Sequence, residues 1–328
     1  MIHKHQNNRI GQLIRIIMSK IAIAVHGGAG PDSEFIKKNI DGYKKGIEEA
    51  VNAGYRVLEE GGSSLDAVEE AVNYLEDNPL FNAGRGSALN EKAEIEMDAS
   101  IMNGKDLRSG AVSIVKNIKN PVTLARAIME KTKHIYIGDM GALEFAQKIG
   151  LKVMPEAYFI TDHAYEEYLS ALKDSENTIE GAGDYQVKRK THGTVGAVAL
   201  DKEGNLAAAT STGGTENKVP GRIGDSSMIG VGSYANNKTC AVSGTGDGEV
   251  LIRNVIAFHL SSVMQYKGFS LTQACHYLMN EELKDVQGEI GIIAVDPNGT
   301  IAMEFNSERM HRGSRSSDEP LKIAIYNE

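Results

Sequence analysis

Two apolar runs of small and branched residues, Thr194–Leu200 and Leu206–Thr212, flank Asp201-Lys202-Glu203-Gly204-Asn205. Strand-forming runs on either side of a polar, glycine-bearing turn predict a β-hairpin. A second hairpin is predicted by Glu289–Val295 and Thr300–Glu304 around Asp296-Pro297-Asn298-Gly299. Short strands are also expected at Ile21–Val25, ahead of the glycine turn His26-Gly27-Gly28-Ala29-Gly30-Pro31, and at Ser87–Leu89, Ala93–Ile101, Ala111–Val115, Thr239–Ser243 and Leu321–Tyr326. Between them lie helical patterns. Ile36, Ile40, Tyr43, Ile47, Val51, Tyr55 and Leu58 recur every three or four residues and share one helix face, ended by Gly61-Gly62. A second helix carries Leu65, Val68, Val72 and Leu75. Others are expected over 121–132, 138–149, 248–266 and 270–283. Strands and helices in this order fit helices covering stacked sheets better than a strict strand–helix alternation.

Composition narrows the class. The chain has 328 residues, with 35 Lys+Arg against 44 Asp+Glu, and no basic run long enough for a nucleic-acid binder. No apolar run reaches the ~18 residues of a membrane span. Two cysteines, Cys240 and Cys275, cannot build a disulfide framework or a cysteine-rich zinc site. A reducing cytoplasm is therefore the expected compartment. Residues 1–17 lack the apolar core of a secretory signal and read as an extension ahead of Met18. Segment 155–193 is polar, shows no sustained periodicity, carries Lys188-Arg189-Lys190, and reads as a flexible linker.

Common catalytic signatures are absent. There is no G-x-S-x-G elbow, P-loop or H-E-x-x-H, and the nine histidines have no metal-ligand spacing. The His26-Gly-Gly segment without a nucleophile elbow is a weak match to an esterase oxyanion loop. What remains is threonine in glycine-rich settings: His192-Gly193-Thr194-Val195-Gly196, Thr210-Ser211-Thr212-Gly213-Gly214, and Ser243-Gly244-Thr245-Gly246-Asp247-Gly248. A threonine hydroxyl needs an adjacent base, and a chain-terminal threonine has one in its own α-amine. Reaching that state requires cutting Gly193–Thr194. A linker, then Gly-Thr, then a strand is the arrangement such a cut needs.

From Ile23 onward the chain resembles the plant-type asparaginase and isoaspartyl peptidase family of N-terminal-nucleophile hydrolases. The matching segments are HGGAGP (26–31), GGSSLDAVE (61–69), NPLFNAGRGSALN (78–90), EMDASIMNGKDL (96–107), GTVGAVALDKEGNLAAATSTGG (193–214), NKVPGRIGDS (217–226) and SGTGDGE (243–249). The resemblance implies an α+β fold, a four-layer αββα sandwich. It implies self-cleavage into parts 18–193 and 194–328, which together form one domain, and an (αβ)₂ homodimer of processed chains. The implied substrates are L-asparagine and β-aspartyl dipeptides.

Site roles follow from the matching positions. Thr194 is the implied nucleophile for both processing and hydrolysis. Thr212 is placed to hydrogen-bond it. Thr245 and Gly246 form the oxyanion pair, and Asn82 lies near the nucleophile. Arg222 forks the substrate α-carboxylate and Asp225 meets its α-ammonium, on a turn with Ile223 and Gly224. The implied substrate-binding positions also include Ile223, Gly224, Thr245, Gly246, Asp247 and Gly248, with Gly248 offering a backbone contact and the Asp247 side chain incidental. Ser227 stands where many relatives have proline, which is expected to loosen the turn. No cofactor is implied for the chemistry. A structural sodium ion is implied, held by backbone carbonyls of Leu75, Glu76, Asn78, Phe81, Ala83 and Arg85. Two rivals share the fold: a glycosylasparaginase, whose relatives carry a signal, disulfides and a Trp-bearing loop, and an unprocessed protein that only binds. This chain has no Trp.

Overall fold

A computed structural model of the chain describes residues 20–178 and 193–327. The extension 1–17 and the linker stretch 179–192 lie outside the described residues. The strands are β1 (Ala22–Gly30), β2 (Met97–Asn103), β3 (Ser109–Val115), β4 (Tyr136–Gly138), β5 (Val195–Leu200), β6 (Leu206–Thr212), β7 (Ser233–Ala235), β8 (Ala241–Gly246), β9 (Ile290–Val295), β10 (Ile301–Phe305), β11 (Arg309–Ser316) and β12 (Lys322–Ala324). They form two sheets, ordered β12-β11-β1-β5-β6-β2-β3-β4 and β10-β9-β8-β7. All pairings are antiparallel except β3 with β4. The fold is therefore a mixed one, with helices and two sheets. Among the described residues, no helix is long and apolar enough to cross a membrane.

Side chains alternate across a strand, so each strand serves two cores. In β1, Ile23 and Val25 pack with the helices Ile40–Glu59 and Ser64–Asp77, while Ala22 and Ala24 join a separate cluster. In β5, Val195, Ala197 and Ala199 face the first set and Val198 and Leu200 the second. That second cluster also takes Ala241, Ile293 and Val295 from β8 and β9. A third cluster holds Val242, Ile292 and Ala294 together with Leu251, Leu260 and Leu271 from the later helices. The central hairpin is thus buried on both faces. This explains its unbroken small apolar runs, since alternation with polar residues is lost when neither face meets water.

Several expectations require correction. Segment 155–193 is not wholly linker: Asp162–Thr178 is a helix. It contacts the core through few residues, Ala164 with the partly buried Tyr168, and leaves Tyr165 and Leu169 exposed. So small an apolar face produces no sustained period. The glycine turn after Val25 is instead a continuation of β1 through Gly30, with a register shift between His26 and Ala29. The helix expected over 36–58 is interrupted at Asn39. That over 248–266 breaks at Val255, whose φ is +48°. The expected strand Ser87–Leu89 reduces to one bridge, Leu89 with Ile95. Strand β11, Arg-Met-His-Arg-Gly-Ser-Arg-Ser, carries no apolar pattern, yet it is the neighbour of β1. Both cysteines are free and buried.

Candidate active site

The site lies at the open end of the β5–β6 hairpin, away from its turn. Val195 pairs with Ser211, which sets Thr194 opposite Thr212. Thr194 is 4% exposed. Its Oγ1 lies 3.3 Å from Ser226 Oγ. The hydrogen bond expected between Thr194 and Thr212 is not formed. The Thr212 hydroxyl instead accepts from the Gly214 amide at 3.0 Å. Asn82 holds the same turn, donating from Nδ2 to the Gly214 carbonyl at 2.7 Å and accepting from the Ala88 amide at 2.8 Å. Its role here is to fix the chain that follows Thr212.

The Thr194 carbonyl is gripped from two sides. His26 Nδ1 lies 3.0 Å from it and Thr245 Oγ1 donates to it at 3.3 Å. A carbonyl only accepts, so Nδ1 carries the hydrogen. Complete burial drives His26 down to about 3, and the imidazole is neutral. Its Nε2 then accepts from Ser243 Oγ at 2.8 Å, and Ser243 meets Thr210 at 2.7 Å. Ahead of Thr194, Gly193 touches Gly28. A Cβ on Gly28 would fall 2.3 Å from the Gly193 Cα, and Gly28 has φ +112°. Glycine is thus required on both sides of this contact.

Thr245 and Gly246 end β8 beside this group. Thr245 is fully buried and also accepts from the Ala29 amide at 3.3 Å. Asp247 has a structural role. It caps the helix Gly248–Asn254, its side chain accepting from the Glu249 amide.

The turn with Arg222, Ile223, Gly224 and Asp225 closes the other side. Asp225 is 3% exposed, and its Oδ2 has no hydrogen-bond partner among the described residues. Burial pushes its carboxyl up to about 7, against the pull of the Arg222 guanidinium. Arg222 forks onto Glu249, Nε to Oε1 at 3.2 Å and Nη2 to Oε2 at 3.0 Å. Gly248 is small for a reason: a Cβ there would meet Asp225 Oδ1 at 2.8 Å and Arg222 Nη2 at 3.0 Å. The Ser227 side chain ties the turn to β3 and β4. Its Oγ meets Ser113 Oγ at 2.7 Å and Tyr136 OH at 2.5 Å.

Glu76, expected to offer only its carbonyl, contributes a buried side chain. Its Oε1 accepts from Ser211 Oγ at 2.6 Å and from the Val122 amide at 3.0 Å, while Oε2 has no partner among the described residues. Burial pushes it up to about 8. The folded state therefore keeps a proton that the unfolded chain releases above about pH 4.5, so this group costs stability as pH rises toward 8. Glu76→Gln removes the titration. By calorimetry, its melting temperature relative to the parent should climb by several degrees between about pH 5 and about pH 8. A constant gap would show that Glu76 folds ionised.

The 75–85 loop is dense in carbonyls. A Cβ on Gly86 would strike Pro79 O at 2.6 Å and Phe81 O at 2.9 Å. The carbonyls of Leu75, Glu76, Asn78 and Phe81 each accept one backbone amide, which leaves each a second lone pair. Such a loop fits a hard monovalent cation. Among the described residues, no group of three or more His, Cys, Asp or Glu could hold a metal ion.

The sequence alone assigns no role to Ser243, Thr210 or Ser226, and to His26 only a weak match to an esterase oxyanion loop. Of these, only His26 carried a signal, as the residue opening a glycine-rich strand end. The other three are hydroxyls that look like ordinary strand or turn residues.

The chain is similar in sequence to known proteins. A family model described as "Asparaginase" matches residues 19–325. The isoaspartyl peptidase of Escherichia coli (strain K12) is 42% identical over 314 residues, covering 95% of this chain and 98% of the relative. The isoaspartyl peptidase/L-asparaginase of Danio rerio is 44% identical over 88% of this chain and 90% of its own. That of Homo sapiens is 42% identical over 89% and 92%. With a family match spanning both sheets and every site segment, the chain belongs to the asparaginase family.

Proposed function

We propose that this chain is a self-processing threonine amidohydrolase that releases aspartate from L-asparagine and from β-aspartyl dipeptides. The observation that carries this reading is the contact of Thr194 Oγ1 with Ser226 Oγ at 3.3 Å. It sets the nucleophile against the residue that follows Asp225, so the reacting hydroxyl and the substrate clamp are neighbours. The names of the relatives support the same activity.

In the intact chain, the Thr194 hydroxyl adds to the Gly193 carbonyl carbon and the Gly193–Thr194 amide shifts to an ester. Water then cleaves that ester, leaving a Gly193 carboxylate and a free Thr194 α-amine. An α-amine titrates near 7.7–8.0 and can take the hydroxyl proton at neutral pH. Thr194 Oγ1 attacks the side-chain carbonyl of the substrate. Charge develops on the carbonyl oxygen, facing the Thr245 hydroxyl and the Gly246 amide. One such donor is typically worth ~2.7–4 kcal/mol of barrier. Ammonia or the amino-acid amine leaves with a proton, and water releases aspartate from the acyl ester. Arg222 takes the α-carboxylate and Asp225 the α-ammonium throughout.

The two sheets, with helices outside them, fit a four-layer αββα sandwich. Parts 18–193 and 194–328 remain one domain after the cut, paired as an (αβ)₂ dimer in the cytoplasm. A sodium ion held by carbonyls of Leu75, Glu76, Asn78, Phe81, Ala83 and Arg85 would stiffen the loop that carries Asn82.

The test is side-by-side turnover of asparagine, β-Asp-Leu and N4-(N-acetylglucosaminyl)asparagine by the purified protein, with a denaturing gel of the same sample. Two bands and release of aspartate from the first two substrates are expected. Preference for the glycosylated substrate would select the glycosylasparaginase reading. A single band near 35.4 kDa with no turnover would select an inert binder.

A further inference from the structure

Asp98 is fully buried in β2, beside Thr212 of β6 in the strand register. A buried carboxylate needs partners, and this one has two backbone donors. Its Oδ1 accepts from the Ile114 amide at 3.0 Å and its Oδ2 from the Gly224 amide at 3.1 Å. The first donor sits where the β2–β3 register shifts, and Ile114 has φ +56°, an uncommon value for a β-branched residue. The bulge frees an amide from the ladder, and Asp98 takes it. The second donor is Gly224, which directly precedes Asp225 in the clamp turn. Two residues earlier, Glu96 Oε2 accepts from the Gly221 amide at 2.9 Å. The Lys218 Nζ, bonded to the Glu96 carbonyl at 2.6 Å, supplies the local positive charge that opposes the burial cost of Asp98. Two carboxylates thus seize the chain immediately before and shortly after Arg222.

We infer that Asp98 and Glu96 are positioning residues for the substrate clamp, holding the Gly221 and Gly224 amides so that Arg222 and Asp225 meet an α-amino acid in fixed geometry. The inference rests on the clamp reading proposed above and deepens it. Neither side chain touches the reacting atoms, so their loss should fall on binding and not on the chemical step. Asparagine at position 98 has one acceptor oxygen and cannot serve both amides.

The test is calorimetric titration of L-aspartate, which carries both α-groups, into the processed parent, Asp98→Asn and Glu96→Ala, alongside KM and kcat for asparagine. Hydrogen bonds to a charged group are worth enough that Asp98→Asn should weaken aspartate binding about tenfold or more. KM should rise with it, while kcat changes far less and the Gly193–Thr194 cut still occurs. Glu96→Ala should show the same split at smaller size, and it decides the matter alone if Asp98→Asn fails to fold. Aspartate affinity equal to the parent's in the folded variants would overturn the inference while leaving the hydrolase reading intact. A parent that binds no aspartate would overturn the clamp reading, and this inference with it.

Discussion

Thr194→Ala is expected to accumulate as a soluble, folded, full-length chain that neither cuts itself nor releases ammonia from asparagine. The change removes one hydroxyl and one methyl. What grips residue 194 in the structure is mostly backbone: its carbonyl takes His26 Nδ1 at 3.0 Å and Thr245 Oγ1 at 3.3 Å, and both contacts survive the substitution. The lost side-chain contact is the 3.3 Å approach to Ser226. Destabilisation should therefore stay at about 1–2 kcal/mol. The chemical effect is of another order, because the same oxygen is assigned to both reactions. Thr194→Ser keeps that oxygen and should retain part of each. Thr194→Cys should still cut itself, since a thiol attacks a neighbouring carbonyl well, and should turn over asparagine poorly. Mass spectrometry after long incubation reads the first reaction and an ammonia assay the second. A Thr194→Ala protein that still gives fragments, or still releases ammonia, would place the nucleophile elsewhere.

The candidate site was legible in the sequence through resemblance more than through chemistry. A threonine opening a strand and an Arg/Asp pair in a turn are ordinary by themselves, and Thr194, Arg222 and Asp225 took their expected roles from the matching segments around them. The structure adds a reason for the glycine before Thr194: Gly193 lies against Gly28 too closely for any side chain. What escaped notice are the residues that act by connecting. Ser243 and Thr210 extend the His26 contact into the space between the sheets, and nothing in a single chain separates them from other strand hydroxyls. Asp98 looked like part of a matching segment, and its two backbone partners exist only once a bulge and a distant turn meet. Elements were legible where periodicity is driven by burial, as in the helix Ile40–Glu59. They were not where burial is slight, as in Asp162–Thr178, or where pairing with β1 and β12 creates the strand, as in β11.

Affinity for asparagine should rise as pH climbs through about 7 and then level, below the pH at which the substrate amine loses its own proton. In the proposed clamp, Asp225 is the cause. Its Oδ2 has no hydrogen-bond partner among the described residues, and burial, against the pull of Arg222, pushes its carboxyl up to about 7, so in the empty site near pH 6 it is mostly protonated. The α-ammonium is attracted only to the ionised form, so binding below pH 7 must first expel that proton. KM should therefore fall from about pH 6 to about pH 8. Asp225→Asn should remove this dependence and raise KM by roughly a hundredfold, the scale of losing one partner of a buried, hydrogen-bonded ion pair. Arg222 is tested separately. Its fork rests on Glu249, but that pair is partly exposed, 18% and 32% by side chain, so it holds weakly and a substrate carboxylate can compete. Arg222→Lys keeps the charge and loses the planar fork, so it should still permit self-cleavage while KM rises sharply. A KM that is flat or rising over this pH range in the parent, or an Asp225→Asn enzyme with the parent's KM and pH profile, would show that the ammonium is held by some other group. An Arg222→Lys enzyme that cuts itself and handles asparagine like the parent would remove the carboxylate from the guanidinium.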